Sequence, residues 1–574
     1  MLASTRTATR ALNTARPLLR QSFRGVATQA AGPSRNEYSR RNGRWAFGAA
    51  ALALPEIKLD SSVETPRDQL PIIHPSEIVK RKTGPEVWVV IDGLVYDMSG
   101  FVEGHPGGAD IIMHNRSYDV TPLFKPRHPS DQLLPGHLPD SVRVVGRVVG
   151  SPEELHEIAL PISKAELEEM ERVEKARKEM EEKGLGGVIN MKRLAENMVS
   201  KVCWAYYASA GDDEITKNAN GSVYQKVLFR PRVLRKVRDA DASTELMGCP
   251  SSLPIYIAPA AMAKLGHPDG ELNLTRGAGT TGIIQGISSN ASCSMDEMLA
   301  EREEGQPLFY QLYVNRDRAQ AEELVKKINK GKFNAIMLTA DAPVGGKRER
   351  DLRLKGDFEG PAGGVSIKSD DAKGVSQAMF AGVDPDLNWD DIKWLRGITD
   401  IPIMVKGIQT VEDALMAYKA GCDGIVISNH GGRQLDTTRP SLDVLLEIRK
   451  HAPQLLRPEF RAPTGLSKEA LEHPDRLTPP DAPGKQERKF DIFIDGGVTR
   501  GTEVVKALCL GANGVGVGRG FLYAQSVAGE EGVEHAVGIF KSEIELTLRL
   551  LGANKISDLR PSMVEVTEQP PVRW

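Results

Sequence analysis

Residues 401–436 read IPIMVKGIQTVEDALMAYKAGCDGIVISNHGGRQLD. An apolar, β-rich run (Pro402–Lys406) gives way to a helical pattern (Val411–Ala420), and a second apolar run (Gly424–Ser428) follows at once. Strand, helix, strand is the signature of a parallel pair joined by a helical crossover. The polar residues collect where the strands end: Lys406 after the first, and His430 with Arg433 after the second.

The same alternation extends both ways along the chain. Eight apolar runs can be counted: Pro254–Pro259, Gly282–Ile287, Leu308–Val314, Asn334–Ala340, Pro402–Lys406, Gly424–Ser428, Asp491–Asp495 and Gly514–Gly518. Helical patterns such as Arg316–Asn329 and Gly501–Leu510 follow most of them. Eight strand–helix units predict a closed (β/α)8 TIM barrel rather than an open doubly wound sheet. No GxGxxG follows an early strand, which weakens a dinucleotide-binding fold further. Two polar stretches, 350–378 and 453–488, read as excursions over the barrel mouth or as surface loops.

At 574 residues the chain exceeds one ordinary core, and it divides four ways. Residues 1–70 form a leader, 71–150 a small α+β unit, 151–189 a charged linker helix, and 190–574 the barrel with its tail. In the small unit, Val87–Ile91 and Leu94–Tyr96 flank Asp92-Gly93 as two strands joined by a tight turn. The linker is dense in Glu, Lys and Arg from Lys164 to Lys183, ends at Gly184, Gly186 and Gly187, and reads as a solvated helix. A net charge of −3 gives no reason to expect nucleic acid. Five scattered cysteines without a CxxC pair fit reduced thiols in a core rather than disulfides or zinc.

The leader has its own composition. Six arginines (6, 10, 16, 20, 24 and 35) lie among Ser, Thr and Ala with no acid before Glu37, as in a mitochondrial transit peptide. The apolar run Trp45–Leu54, stopped by Pro55, is too short to span a bilayer. It fits a second sorting signal and an intermembrane-space destination.

Two groups of residues carry chemistry. In the small unit, His105-Pro106-Gly107-Gly108 is followed by His114, His128 and His137. Two imidazoles can make a haem iron six-coordinate, suited to one-electron transfer. In the barrel the strand ends supply Ala260, Ser288, Gln311, Tyr313, Thr339, Asp341, Lys406, His430, Arg433, Asp495-Gly496-Gly497 and Gly518-Arg519. That is the face where barrels of this kind place their chemistry. Ser, Thr and Gln offer hydrogen bonds to a planar polar ring, and Lys406 a charge that stabilises a reduced flavin anion. The glycine-rich ends of strands seven and eight expose backbone N–H groups for a phosphate, with Asp495 available to sugar hydroxyls. An arginine fork three residues from His430 suits a carboxylate beside a carbinol, and Asp341 can orient the imidazole.

The run from Trp88 to Ser99, with Phe101, His105 and His128, resembles the cytochrome b5 family, which implies His105 and His128 as axial ligands of a b-type haem. From about 190 to 565 the chain is similar to the FMN-dependent L-2-hydroxy acid oxidising family. The resemblance rests on SNHGGRQLD, Gln311-Leu312-Tyr313 and Ile494-Asp495-Gly496-Gly497. It implies His430 as the base, Asp341 as its support, Arg433 and Tyr206 at the substrate carboxylate, Tyr313 at the substrate oxygen and Arg348 at the mouth. It assigns the FMN ring to Ala260, Ser288, Gln311, Thr339 and Lys406, and its tail to Asp495, Gly496, Gly497, Gly518 and Arg519. With the haem unit in front, the expected activity is oxidation of an L-2-hydroxy acid, foremost L-lactate, with cytochrome c as acceptor. A homotetramer that does not span a membrane is implied too. Two rivals are an oxidase that passes electrons to oxygen or takes another acid such as glycolate or mandelate, and a haem carrier with an inactive barrel.

The chain departs from the family pattern in places. Thr499 stands where an arginine usually serves the phosphate, Ala260 where a threonine is common, and Asn290 where an apolar residue faces the substrate side chain. After the tyrosine pair the order is Ala208-Ser209-Ala210-Gly211, with Ala and Gly exchanged.

Overall fold

The structure, a computed structural model, describes residues 67–133, 137–185, 190–356, 380, 382–465 and 489–568. The leader expected over 1–70 lies almost wholly outside these residues, as do Gly186, Gly187, most of the 350–378 stretch and 466–488.

Strands β1 (Ile72–Ile73), β2 (Trp88–Ile91), β3 (Leu94–Asp97) and β4 (Arg143–Val148) form one mixed sheet in the order β1-β4-β3-β2. The β2–β3 hairpin pairs Ile91 with Leu94. Its turn residues Asp92 and Gly93 both adopt positive φ, as a tight hairpin matching the strand twist requires. Strand β2 is apolar throughout because both faces are covered. Val89 and Ile91 face Tyr96, Ile112 and Val142, whereas Trp88 and Val90 face Ile78, Val95 and Ile158. Two short helices, α1 (Ala109–His114) and α2 (Thr121–Phe124), follow on the Ile112 side.

Helix α3 (Lys164–Lys183) begins with a capping box of Ser163 and Glu166, and Gly184 ends it at φ 64°. It is not solvated all round, as its composition suggested: Ala176 and Met180 pack against the barrel's core. Helices α4 (Met191–Met198), α5 (Lys201–Ala208) and α6 (Ile215–Ser222) lead into the barrel.

Eight parallel strands close the barrel: β5 (Ile255–Ile257), β6 (Ile284–Ser288), β7 (Leu308–Leu312), β8 (Ala335–Thr339), β9 (Ile403–Ile408), β10 (Gly424–Ile427), β11 (Asp491–Asp495) and β12 (Gly514–Val517). Each pairs with the next, and β12 returns to β5. The second strand starts later than its apolar run, because Gly282 at φ 70° is the cap of helix Glu271–Thr281. Alternate residues point inwards. Tyr256, Ile284, Phe309, Met337, Met404, Val426 and Phe493 form the inner core, and Leu246 joins it from the hairpin Thr244–Leu246/Cys249–Ser251. The other parity, including Ile255, Leu308, Ile336, Ile403, Ile425 and Ile492, packs under the surrounding helices. All five cysteines are free and buried.

Candidate functional site

Two residues beyond Phe309, Met337, Met404, Val426 and Phe493 the same inward parity delivers Gln311, Thr339, Lys406, Ser428 and Asp495, and four beyond Ile284 it delivers Ser288. The apolar plug therefore carries a polar layer at the C-terminal face of the barrel. Register places Gln311 beside Ser288 and Thr339 beside Lys406. Ser288 Oγ donates to Gln311 Oε1 (3.2 Å), and Gln311 Nε2 donates to Thr339 Oγ1 (3.0 Å). On the opposite arc Lys406 Nζ donates to Ser428 Oγ (3.3 Å), which donates to Asp495 Oδ1 (2.6 Å). Lys406 Nζ also lies 3.8 Å from Asp495 Oδ2. Burial works against the Lys406 charge, yet Asp495 and Asp341 outweigh it and hold the ammonium above its ordinary value.

Above this layer stands the proton-handling set. Asp341 follows β8 and His430 follows β10, and Asp341 Oδ1 lies 2.9 Å from His430 Nδ1. The carboxylate is fully enclosed. It fits there because Gly407 bulges β9 at φ 108°; a Cβ at that position would lie 2.5 Å from Asp341 Cβ. Tyr313 Oη is 3.5 Å from His430 Nε2. Burial, assisted by Lys406, lowers the His430 imidazole despite Asp341, so the ring is neutral and able to take a proton near neutral pH. Burial opposes ionisation of Asp341, but His430 and Lys406 prevail and keep its carboxyl below the usual range.

Three guanidiniums gather at the mouth. Arg348 and Arg433 flank the buried Tyr206 ring at 5.6 and 5.5 Å from its centroid. Arg433 Nη2 donates to Tyr207 O (2.6 Å), and Arg519 Nη2 donates to Gly431 O (2.6 Å). Burial lowers Arg348 and Arg519, and Arg433 repels both. Arg348 Nε and Nη1 and Arg519 Nε are buried with no hydrogen-bond partner among the described residues. Buried donors of this kind call for an acceptor, and clustered cations call for anions.

The glycine-rich end of β11 turns with Gly496 at φ 99° and Gly497 at φ 81°. Helix α6 closes over it so tightly that a Cβ on Gly497 would lie 2.1 Å from Asn220 O. Thr499 brings no charge to this end: its N–H and hydroxyl donate to Glu503. The neighbouring Arg500 pairs with Glu543 at 2.8 Å. The residues fit FMN nonetheless. The inward polar layer offers donors and acceptors to a ring, and Arg519, next to Gly518 at the end of β12, keeps a buried Nε donor with no partner among the described residues. Ala260 has no polar side chain to offer.

In the small unit, His105 precedes α1 and His128 follows α2. Their ring centroids stand 6.4 Å apart. Each Nδ1 lies 3.1 Å from a backbone oxygen, Gly108 O for His105 and Phe124 O for His128, which orients the ring and leaves Nε2 for a metal. Burial lowers both, His128 to about 4, so both rings are neutral near neutral pH, the form in which an imidazole can bind a metal. His114 and His137 are exposed and bonded to Asp110 O and Asp131 O, away from this pair. No group of three or more metal-binding side chains occurs among the described residues.

Sequence reasoning passed over two contributors. Ser428 joins Lys406, Asp495 and the His430 amide in one hydrogen-bonded knot. Gln434 Nε2 donates to Asp341 O (3.2 Å) and Val344 O (2.8 Å), fixing the loop after β8. Ser428 was visible as the inward residue next after Val426.

A family model described as FMN-dependent dehydrogenase matches residues 195–566. A second, the cytochrome b5-like heme/steroid binding domain, matches residues 74–201. L-lactate dehydrogenase (cytochrome) of Wickerhamomyces anomalus is 39% identical over 496 residues, spanning 86% of this chain and 80% of the relative. The protein of that name from Saccharomyces cerevisiae is 38% identical over 508 residues, with the same coverages of 86% and 80%. Among solved structures, a mutant flavocytochrome b2 with pyruvate bound aligns at a TM-score of 0.58 and 37% identity, covering 70% of this chain and 91% of that one.

Proposed function

Because the chain belongs to the FMN-dependent dehydrogenase family and carries a cytochrome b5-like unit ahead of its barrel, we propose that it oxidises L-lactate to pyruvate and delivers the electrons to cytochrome c. FMN, when bound, supplies a two-electron acceptor in the barrel and a b-type haem a one-electron carrier in the small unit. Arg433 and Tyr206 hold the substrate carboxylate, with Arg348 as a second cation at the mouth. Tyr313 donates to the substrate oxygen, and His430 Nε2 takes the substrate proton. Asp341, on the opposite ring nitrogen, keeps Nε2 unprotonated at the start and stabilises the imidazolium that forms. Ser288, Gln311, Thr339 and Lys406 hold the FMN ring, while Asp495, Gly496, Gly497, Gly518 and Arg519 hold its tail.

The observation that carries this reading is the Asp341–His430–Tyr313 set, 2.9 and 3.5 Å between partners, beside buried guanidinium donors that have no partner among the described residues. Its test is an anaerobic spectrum of the purified protein before and after L-lactate, then glycolate and L-mandelate. Flavin bleaching followed by reduced haem bands with lactate is expected; haem without reducible flavin would favour the inactive carrier. Turnover with cytochrome c against oxygen separates the dehydrogenase from an oxidase. One observation favours a different acid: Asn290 Nδ2, just past the end of β6, is buried with no hydrogen-bond partner among the described residues. A substrate with a polar side chain would satisfy it.

The Arg-rich, acid-free start of the chain supports import into mitochondria, and the Trp45–Leu54 run supports sorting to the intermembrane space. Protease protection in fractionated mitochondria tests both. No helix among the described residues is long and apolar enough to cross a membrane. The family and the outward-standing Val233 (80% exposed) and Leu234 (101%) support a homotetramer, which sedimentation tests.

A further inference from the structure

Helix α3 is fastened to the barrel around one junction, where α4 ends and α5 begins. The last carbonyls of a helix and its first amides have no intrahelical partners. Here α3 satisfies both kinds. Arg172 Nη1 donates to Asn197 O (2.6 Å) and its Nη2 to Val199 O (2.9 Å). Arg177 Nε reaches Met198 O (3.4 Å) and its Nη2 reaches Gly266 O (2.9 Å), in the loop after β5. At the start of α5, the Lys201 amide donates to Glu169 Oε1 (2.5 Å). Charge signs also match: cations sit on the negative end of α4 and a carboxylate on the positive end of α5.

Helix α5 has only eight residues, about 12 Å of rod. Its far end holds Tyr206, and Tyr207 O there receives the Arg433 guanidinium at 2.6 Å. Any tilt set at Lys201 therefore reaches both groups that hold the substrate carboxylate. We propose that α3 is a positioning element for the active site: through Glu169, Arg172 and Arg177 it fixes α5, and through α5 the places of Tyr206 and Arg433. The inference rests on the carboxylate role given to those two residues above. It makes the segment between the domains part of substrate binding, not only a tether for the haem unit.

The test compares the double variant Glu169→Ala/Arg172→Ala with Glu174→Ala/Lys178→Ala, which removes an outward ion pair of the same helix. All are studied as the full chain with matched flavin and haem content. The readouts are the L-lactate KM and kcat for flavin bleaching, and the Kd of oxalate, a carboxylate that is not oxidised, by calorimetry. The clamp variant should raise both the lactate KM and the oxalate Kd about tenfold, the size of one lost hydrogen bond to a charged group, with a smaller change in kcat. Arg172→Lys, which keeps charge but loses the two-point grip, should fall between. The inference is overturned if oxalate and lactate bind as in the wild type while only haem reduction slows, or if the control pair shifts binding equally. Should the wild type neither oxidise lactate nor bind oxalate, the proposed function falls first and this inference with it.

Discussion

Replacing Asp341 by Asn tests the mechanism at its most specific point. The carboxylate is enclosed, lies 2.9 Å from His430 Nδ1, and its Oδ2 has no other hydrogen-bond partner among the described residues. Its charge therefore acts mainly on the imidazole and on Lys406. For charges centred about 4 Å apart in an effective dielectric of about 20, the attraction is about 4 kcal/mol. That stabilisation is realised only when His430 gains its proton, so it belongs to the transition state, and its loss corresponds to about a 10³-fold slower reaction. Asparagine preserves shape, and FMN and haem content should not change. The assay is anaerobic stopped-flow bleaching of the flavin by L-lactate and by 2-deuterated lactate across pH. In the wild type the rate should fall on acidification through a value below 6.5, because burial lowers His430. Asp341 raises that group, so Asp341→Asn should move the limb to still lower pH while depressing the plateau. A loss smaller than tenfold, or a limb that moves upward, would refute the assignment of His430 as a base supported by Asp341.

Lys406→Met leaves Asp495 buried without its cation and should lower stability by about 3 kcal/mol, read by thermal melting. Because Lys406 also lowers His430, any remaining activity should show its acid limb displaced upward. His128→Ala should abolish the b-type haem spectrum and cytochrome c reduction while lactate still bleaches the flavin. Retained low-spin haem would return His114 or His137 to consideration. Gly497→Ala places a methyl 2.1 Å from Asn220 O at a positive φ, and should cost about 1–3 kcal/mol by melting and reduce FMN retained through gel filtration.

Much of this was legible in the sequence because it follows local period. Alternating strand and helix runs announce a barrel, and once an inner-core residue such as Phe309 is fixed, period two dictates that Gln311 faces the same axis. The strand-end motifs then name the chemistry before any coordinate is known, as SNHGGRQLD does. The haem hairpin is equally local, since Asp92-Gly93 permits the two positive φ values its turn requires.

Other features are decided only when distant segments close on one another. Asp341 meets His430 across 89 residues because β8 and β10 stand on either side of β9, and because β9 bulges at Gly407 to admit the carboxylate. Helix packing turns His128 towards His105 and leaves His114 and His137 at the surface. Arg500, although close to the glycine turn after β11 in sequence, swings to Glu543 on the helix Arg519–Leu551. Helix α3 looked solvated because its composition is charged, yet Arg172 and Arg177 spend that charge on the open carbonyls of α4. Period and residue type set which way a side chain points; which partner it finds there is a long-range outcome of barrel closure and of backbone groups left unpaired at helix ends.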